Sequence, residues 1–327
     1  MRNALDVVLE VSFAEYSPDG VVPVLAWGGG ERSMDTPLLL SNGTGYDAWR
    51  WDPRTGEECW KFAGEDLVST MSVATPAGHG AVVVVATDIG VVCVDAETGR
   101  PVPVGAMGGF DDTAWDVTTG ALPGGRAFVA VAAQCEPFIH YWDATTGVAL
   151  EPPLTGPDYP LKTITSLTLK DGTVLIAAED EAGVVYRWVA ATGEPFGSPI
   201  DGYGEYNMRM TAITRPDGRA VLASLDMNGN LSRYDAVSGE LLGPPLPMGS
   251  DVGAIAAACL NDAALLFVSI GAGPTLILNA VTGETAHPPV PGSNPAALAC
   301  PDGSVLLATV QTADDHATLH RLTRPAG

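Results

Sequence analysis

Five histidines, His79, His140, His287, His316 and His320, are the side chains with which this chain could hold a metal ion or move a proton near neutral pH. His316 and His320 stand four residues apart, which is a ligand spacing on a helix. The residues around them read as loop and strand, where four residues span about 13 Å, so both are expected to be structural or solvent-facing. Asp226, Asn228 and Asn230 match the opening of a calcium loop, yet Val237 stands where that loop needs a bidentate Glu. A plain turn is expected there. Gly28-Gly29-Gly30 falls in a surface loop and not between a strand and a helix, so it does not read as a phosphate cradle. No Gly-x-Ser-x-Gly element is present. With 39 Asp and Glu in the chain, close carboxylate pairs arise by chance and identify no glycosidase. The sequence therefore assigns no catalytic residue, no metal ligand and no cofactor.

What could position a binding surface is a repeat. Thr-Gly or Ser-Gly pairs end at Gly56, Gly99, Gly147, Gly193, Gly239 and Gly283, with spacings of 43, 48, 46, 46 and 44, and a last step of 44 reaches Gly327. A period near 45 residues made of strands predicts an all-β, seven-bladed β-propeller with four antiparallel strands per blade. It is expected to form one domain over residues 1–327. Five residues before each Gly stand Trp51, Val94, Trp142, Trp188, Tyr234, Leu278 and Leu322, apolar groups suited to filling the gap between blades. The next column, Asp52, Asp95, Asp143, Val189, Asp235, Asn279 and Thr323, mostly offers side chains that accept N–H groups from the following turn. The glycines supply the positive φ of that turn.

A second turn lies upstream in most copies, as at Asp171-Gly172 and Asp217-Gly218. In the fifth unit this places inner strand a at Arg209 to Thr214, b at Arg219 to Leu225, c at Asn230 to Asp235 and outer strand d at Glu240 to Leu246. The seventh unit has no d strand after it, and Leu5 to Phe13 is expected to supply one and close the ring. The competing assignment makes that segment an inner strand. In the first unit, strand a is placed at Val21 to Trp27, followed by a long loop.

Composition sets the outer bounds. Apolar residues make up 46% of the 327, enough for a large core, and 38 Gly with 26 Pro suit short strands and many turns. The net charge of −23 repels nucleic acid and anionic membrane, and favours cationic partners. Five scattered cysteines without a CxxC pair read as reduced core thiols in a cytoplasmic protein. Asp6, Glu10 and Glu15 interrupt any signal-peptide pattern, and no apolar run is long enough for a membrane span.

Trp51-Asp52 and Trp142-Asp143, each followed by x-x-Thr-Gly, and the segment VLASLDMNGNLSRYD (Val221 to Asp235) resemble the WD-repeat family in a divergent, bacterial form. The resemblance implies a rigid platform for proteins or peptides. The family's Gly-His pair before strand a is missing, and Gly78-His79 falls at an a–b turn, so the family's buried Asp–His–Ser–Trp network is expected to be incomplete. Separately, DPRTGEECW (Asp52 to Trp60) is similar to the repeat of quinoprotein-like propellers, which implies stacked Trp residues in d strands, but only this copy carries the Trp.

In such a ring the d–a and b–c loops share the face around the channel mouth. The d–a loops carry Glu65, Asp66, Asp111, Asp112, Asp158, Glu205 and Asp251. The b–c loops add Asp88, Glu136, Glu179, Asp180, Glu181, Asp226, Asp314 and Asp315, with only Lys162 and Arg209 nearby as bases. Turn formation alone accounts for Asp88 and Asp226. Phe110, Tyr159, Tyr203 and Tyr206 place aromatics beside the carboxylates. The expected binding face therefore comprises Phe110, Asp111, Asp112, Asp158, Tyr159, Tyr203, Glu205, Tyr206, Arg209 and Asp251. Carboxylates beside aromatic rings suit a basic protein or peptide segment, or a small cationic or amphipathic molecule. Arg209 either holds a ligand carboxylate or pairs with Glu205. Two readings follow: a non-catalytic scaffold using this face, or a propeller enzyme with a pocket at the channel mouth.

Overall fold

The computed structural model describes residues 5–12, 22–27, 37–42, 46–64, 66–102, 112–202, 207–249, 253–311 and 316–323. Seven small antiparallel sheets form a ring, each inner strand packing against those of its two neighbours. The inner strands are Val22–Trp27, Val68–Ala74, Ala114–Ala121, Leu161–Thr168, Asn207–Thr214, Gly253–Leu260 and Ser293–Ala299. The second strands, such as Val82–Thr87, Ala127–Ala133 and Ala220–Asp226, are buried along their whole length. That burial on both faces is why they read as unbroken apolar runs instead of alternating ones.

Ring closure follows the expected route. Leu5–Ser12 pairs antiparallel with His316–Leu322, from Leu5 against Leu322 to Ser12 against His316. It is the outer strand of blade 7, which excludes the inner-strand assignment. Blade 5 matches in its first three strands, whereas its d strand shrinks to Leu246–Pro247 and a bridge between Tyr234 and Leu241. Pro244 and Pro245 lack the N–H groups a longer ladder needs. Among the described residues, blades 2 and 3 have three-stranded sheets, with isolated bridges at Pro101, Ala149 and Leu154 where a d strand was expected. The cysteines depart from expectation: all five are free thiols, but Cys59 and Cys135 are exposed and only Cys93 is fully buried.

The repeat columns do what their chemistry dictates. Trp51, Val94, Trp142, Trp188, Tyr234, Leu278 and Leu322 are all buried in the seams. Asp52, Asp95, Asp143, Asp235 and Asn279 each accept turn N–H groups, as in Asp95 Oδ1 from Thr98 N at 2.7 Å. The turn glycines carry a second duty. A Cβ on Gly99 would lie 2.7 Å from the ring of Trp60 in blade 1, and one on Gly283 would lie 2.7 Å from Arg233 in blade 5. Each turn is thus a socket for the preceding blade. The Trp60 indole N–H also donates to Ala96 O in blade 2 at 3.0 Å.

An arginine column, one residue before the large apolar group, completes these sockets. Arg50 donates to Ala96 O at 2.9 Å, and Arg233 to Val281 O at 2.8 Å. Arg187 reaches Ala236 O at 2.9 Å, Val237 O at 3.0 Å and Ser198 O at 2.8 Å while only 4% exposed. These guanidinium groups donate to backbone carbonyls of the next blade's turn, and Arg187 also to Ser198 O of its own blade, which ties the seam together. In blade 1 the Trp51 indole donates to Ser41 Oγ at 2.9 Å, so the Trp–Ser half of the network expected to be incomplete is present there.

Replacing Arg187 by Met keeps the aliphatic stem and removes the donors. Urea unfolding is expected to show a loss of about 2–4 kcal/mol, against no more than about 0.5 kcal/mol for Met at the exposed Arg219.

Candidate functional site at the channel mouth

The inner strands of blades 2 to 5 begin alike. Each carries one extra residue against its partner strand, a β-bulge, at Ser69, Trp115, Lys162 and Met208. A bulge re-aims side chains at a sheet's rim. The residues immediately after it, Thr70, Asp116, Thr163 and Arg209, occupy one level of the ring. Asp116 Oδ2 accepts from Thr163 Oγ1 at 3.0 Å and from Ile164 N at 2.9 Å, while Oδ1 accepts from Val117 N at 2.9 Å. Thr163 Oγ1 accepts in turn from Met210 N at 3.1 Å. A hydrogen-bonded belt therefore runs across blades 3, 4 and 5. Burial pushes the Asp116 carboxyl above its ordinary range, opposed by these hydrogen bonds and by the positive charge of Arg209.

Inside the belt lies a cavity of about 610 Å³. Leu67, Asp88 and Thr113, from the loops leading into or beside the inner strands, stand at its edge, so it opens on the face carrying the d–a and b–c loops. Its walls differ. Ser69, Thr70, Asp116 and Arg209 of blades 2, 3 and 5 are polar, whereas blades 6, 7 and 1 contribute Ala254 to Ala257, Pro295 to Ala297 and Pro23 to Leu25. The alanine-rich inner strands of blades 6 and 7 leave the space that larger side chains would fill.

Of the expected binding residues, Asp112, Asp158, Tyr159 and Arg209 are described; Phe110, Asp111, Tyr203, Glu205, Tyr206 and Asp251 lie outside the described residues. Arg209 is exposed and lines the cavity. Asp112 Oδ1 accepts from Thr113 N at 2.7 Å and so helps set the path into blade 3. Tyr159 is 54% exposed, and Asp158 beside it is exposed too.

Several loop carboxylates prove to be builders of the loops. Asp226 Oδ1 accepts from Asn228 N and Asn230 N, which bears out its turn-forming role, whereas Asp88 Oδ1 accepts from Leu67 N and ties its b–c turn to the loop entering blade 2. Asp180 repeats the Asp226 pattern with Ala182 N and Val184 N. Glu136 meets His140 Nε2 at 2.5 Å. Two placements must be corrected. Lys162 is not an accessible base: it is buried, 2.7 Å from Glu181 and 4.5 Å over the Trp115 ring. Glu179 is not in a loop: it is the penultimate residue of the second strand of blade 4 and fully buried. Its neighbours include Ser224 of blade 5.

Sequence reasoning named Tyr159 but missed the other exposed apolar residues of this face. Of the seven large hydrophobic residues exposed among the described ones, Tyr46, Leu67, Ile89, Tyr159 and Met227 stand on d–a or b–c loops, and only Val148 and Val237 on the opposite turns. The signal was available as single apolar residues inside polar turns, such as Ile89 after Thr87-Asp88.

Among the described residues no cluster of metal-ligating side chains occurs, and no helix is long and apolar enough to cross a membrane. No protein-family model matches the chain, and no match was found among curated proteins.

Glu179 generates a pH signature. Desolvation raises its carboxyl well above 4.5, with Asp180 and Asp226 adding to the rise and the Ser224 hydroxyl opposing it. The unfolded chain releases this proton at lower pH than the folded one, so the contribution to stability falls as pH rises. As pH rises above the ordinary Glu range, urea unfolding should show the wild type losing stability relative to Glu179→Gln, by at most about 1.4 kcal/mol per pH unit. Parallel slopes would mean that Glu179 is charged in the fold.

Proposed function

We propose that the protein is a non-catalytic binding platform of the WD-repeat kind. It takes a segment of a partner protein across the channel-mouth face. The observation that carries this reading is the gathering of Tyr46, Leu67, Ile89, Tyr159 and Met227 on the loops of that one face. Exposed apolar side chains grouped on one rigid surface mark interaction sites. The fold itself is common among interaction scaffolds, and the Trp51–Ser41 bond and the Asp-capped turns support the WD-repeat affinity.

The partner segment is basic as well as apolar. The net charge of −23 draws cations over long range, and Asp158 stands exposed beside Tyr159 on this face. A Lys or Arg seated there gains both a carboxylate and an aromatic ring. The absence of a catalytic role rests on chemistry: both oxygens of Asp116 receive neutral donors, and Thr163 is buried within the same belt.

Capture from native lysate tests the reading with three proteins: wild type, Leu67→Ser/Ile89→Ser/Tyr159→Ser, and the opposite-face control Val148→Ser/Val237→Ser. A partner lost only by the first variant, with a Kd raised by about 10-fold or more on purification and further by added salt, supports it. A partner indifferent to the first variant, or lost only by the control, refutes it.

A further inference from the structure

The throat beneath that rim has a different chemistry from the rim itself. At about 610 Å³ it falls in the size range of small-molecule sites. It is also two-sided at a single level of the ring. One half-circle is small and apolar, from Ala254–Ala257 of blade 6 through Pro295–Ala297 of blade 7 to Val24 and Leu25 of blade 1. Met71 and the Trp115 ring extend that surface into blades 2 and 3. The other half-circle holds the belt.

The charges of that half-circle differ in what they can offer a ligand. Asp116 already receives Val117 N, Thr163 Oγ1 and Ile164 N, and Asp88 receives Leu67 N. Asp116 directs its acceptors into the wall, whereas Asp88 is exposed at the edge of the cavity. Arg209 is exposed, lines the cavity and follows a bulge that sets its direction. A guanidinium carries five N–H donors, so a contact on one side leaves others for a second acceptor. Its planar fork matches a carboxylate in bidentate geometry. The throat thus offers Arg209 as its cation, set against an apolar wall, beneath the exposed carboxylate of Asp88 and in a molecule that is acidic as a whole.

We infer that the channel throat is a binding site for a small amphipathic carboxylic acid, its carboxylate on Arg209 and its apolar body against the alanine-rich inner strands of blades 6 and 7. Blade 6 begins its inner strand without a bulge and so keeps its small residues flush with the wall. The belt from Asp116 through Thr163 to Met210 N fixes the backbone beside Arg209, so the cation is held in place before a ligand arrives. This inference does not rest on the platform reading. The rim substitutions Ile89→Ser and Tyr159→Ser, which lie outside the cavity lining, should leave it untouched.

The test uses the full chain and two fluorescent probes with related aromatic bodies, the anionic anilinonaphthalene sulfonate and the uncharged phenylnaphthylamine. Saturable binding of the anionic probe is expected, displaced by decanoate and not by decylamine. Arg209→Gln should weaken the anionic probe by about 10-fold or more, the size of a charge-assisted contact, and leave the uncharged one unchanged. Ala256→Trp fills the apolar wall and should weaken both, with circular dichroism confirming that each variant is folded. If the two probes bind alike and Arg209→Gln changes neither, anion recognition is refuted. If Ala256→Trp has no effect on either probe, they bind elsewhere and the throat assignment fails.

Discussion

The seam between neighbouring blades is the interaction on which the rest of this structure depends. An isolated four-stranded sheet leaves both faces wet, and only stacking against the next sheet buries them. Here the seam is built from a small kit. A large apolar side chain such as Trp188 or Tyr234 fills its depth, and a glycine turn admits a group from the blade before it. The positive φ and the close approach are separate demands, and at Gly99 and Gly283 both fall on one residue. A side chain there would strain the turn and push the blades apart. The arginines at positions 50, 187 and 233 then donate across the seam to backbone carbonyls of the next blade's turn.

Because the seams fix the ring, the channel mouth can carry irregular features without loss of register. The four bulged inner strands are one such feature, and the buried carboxyl of Glu179 is another. Within a lone sheet either would invite slippage or local opening. Held between blades, they become a rim and a belt of defined shape.

The fold was legible because its signals repeat. Gly56 to Gly283, the Trp-type column and the Asp column each gave several independent readings of one rule, and averaging over copies hides a deviant such as Val189. The arginine column was equally visible, but Arg50, Arg187, Arg233 and Arg321 do not stand out among seven units until the first three are seen to reach backbone carbonyls of the next blade, while Arg321 turns to Ser304 and Asp302 of its own. The site was harder to see. Counting carboxylates by loop could not tell Asp158, which is exposed, from Asp226, which turns inward onto Asn228 N and Asn230 N. Glu179 and Asp226 have the same formal charge, yet one is a buried acid in a seam and the other caps a turn. Burial depends on strand boundaries to within one residue, which periodicity does not supply. The bulges are likewise invisible without the partner strand, since an extra residue is defined only by what it fails to pair with.

The closing strand has a consequence for how the protein comes into being. Leu5–Ser12 pairs with His316–Leu322, so this strand finds its partner only after the blades between them have been synthesised. At ordinary elongation rates that interval is on the order of tens of seconds. Through it, an apolar strand waits with its hydrogen-bonding edges unfilled, while blades 1 to 6 can assemble in order from their own local hairpins. The ring is a sequential build with a single non-local joint at the end, and loop closure over so many residues must come before any stabilisation from that joint. Asp6 and Glu10 within the strand place charge on that open edge, which blunts it against pairing with another chain in the interval.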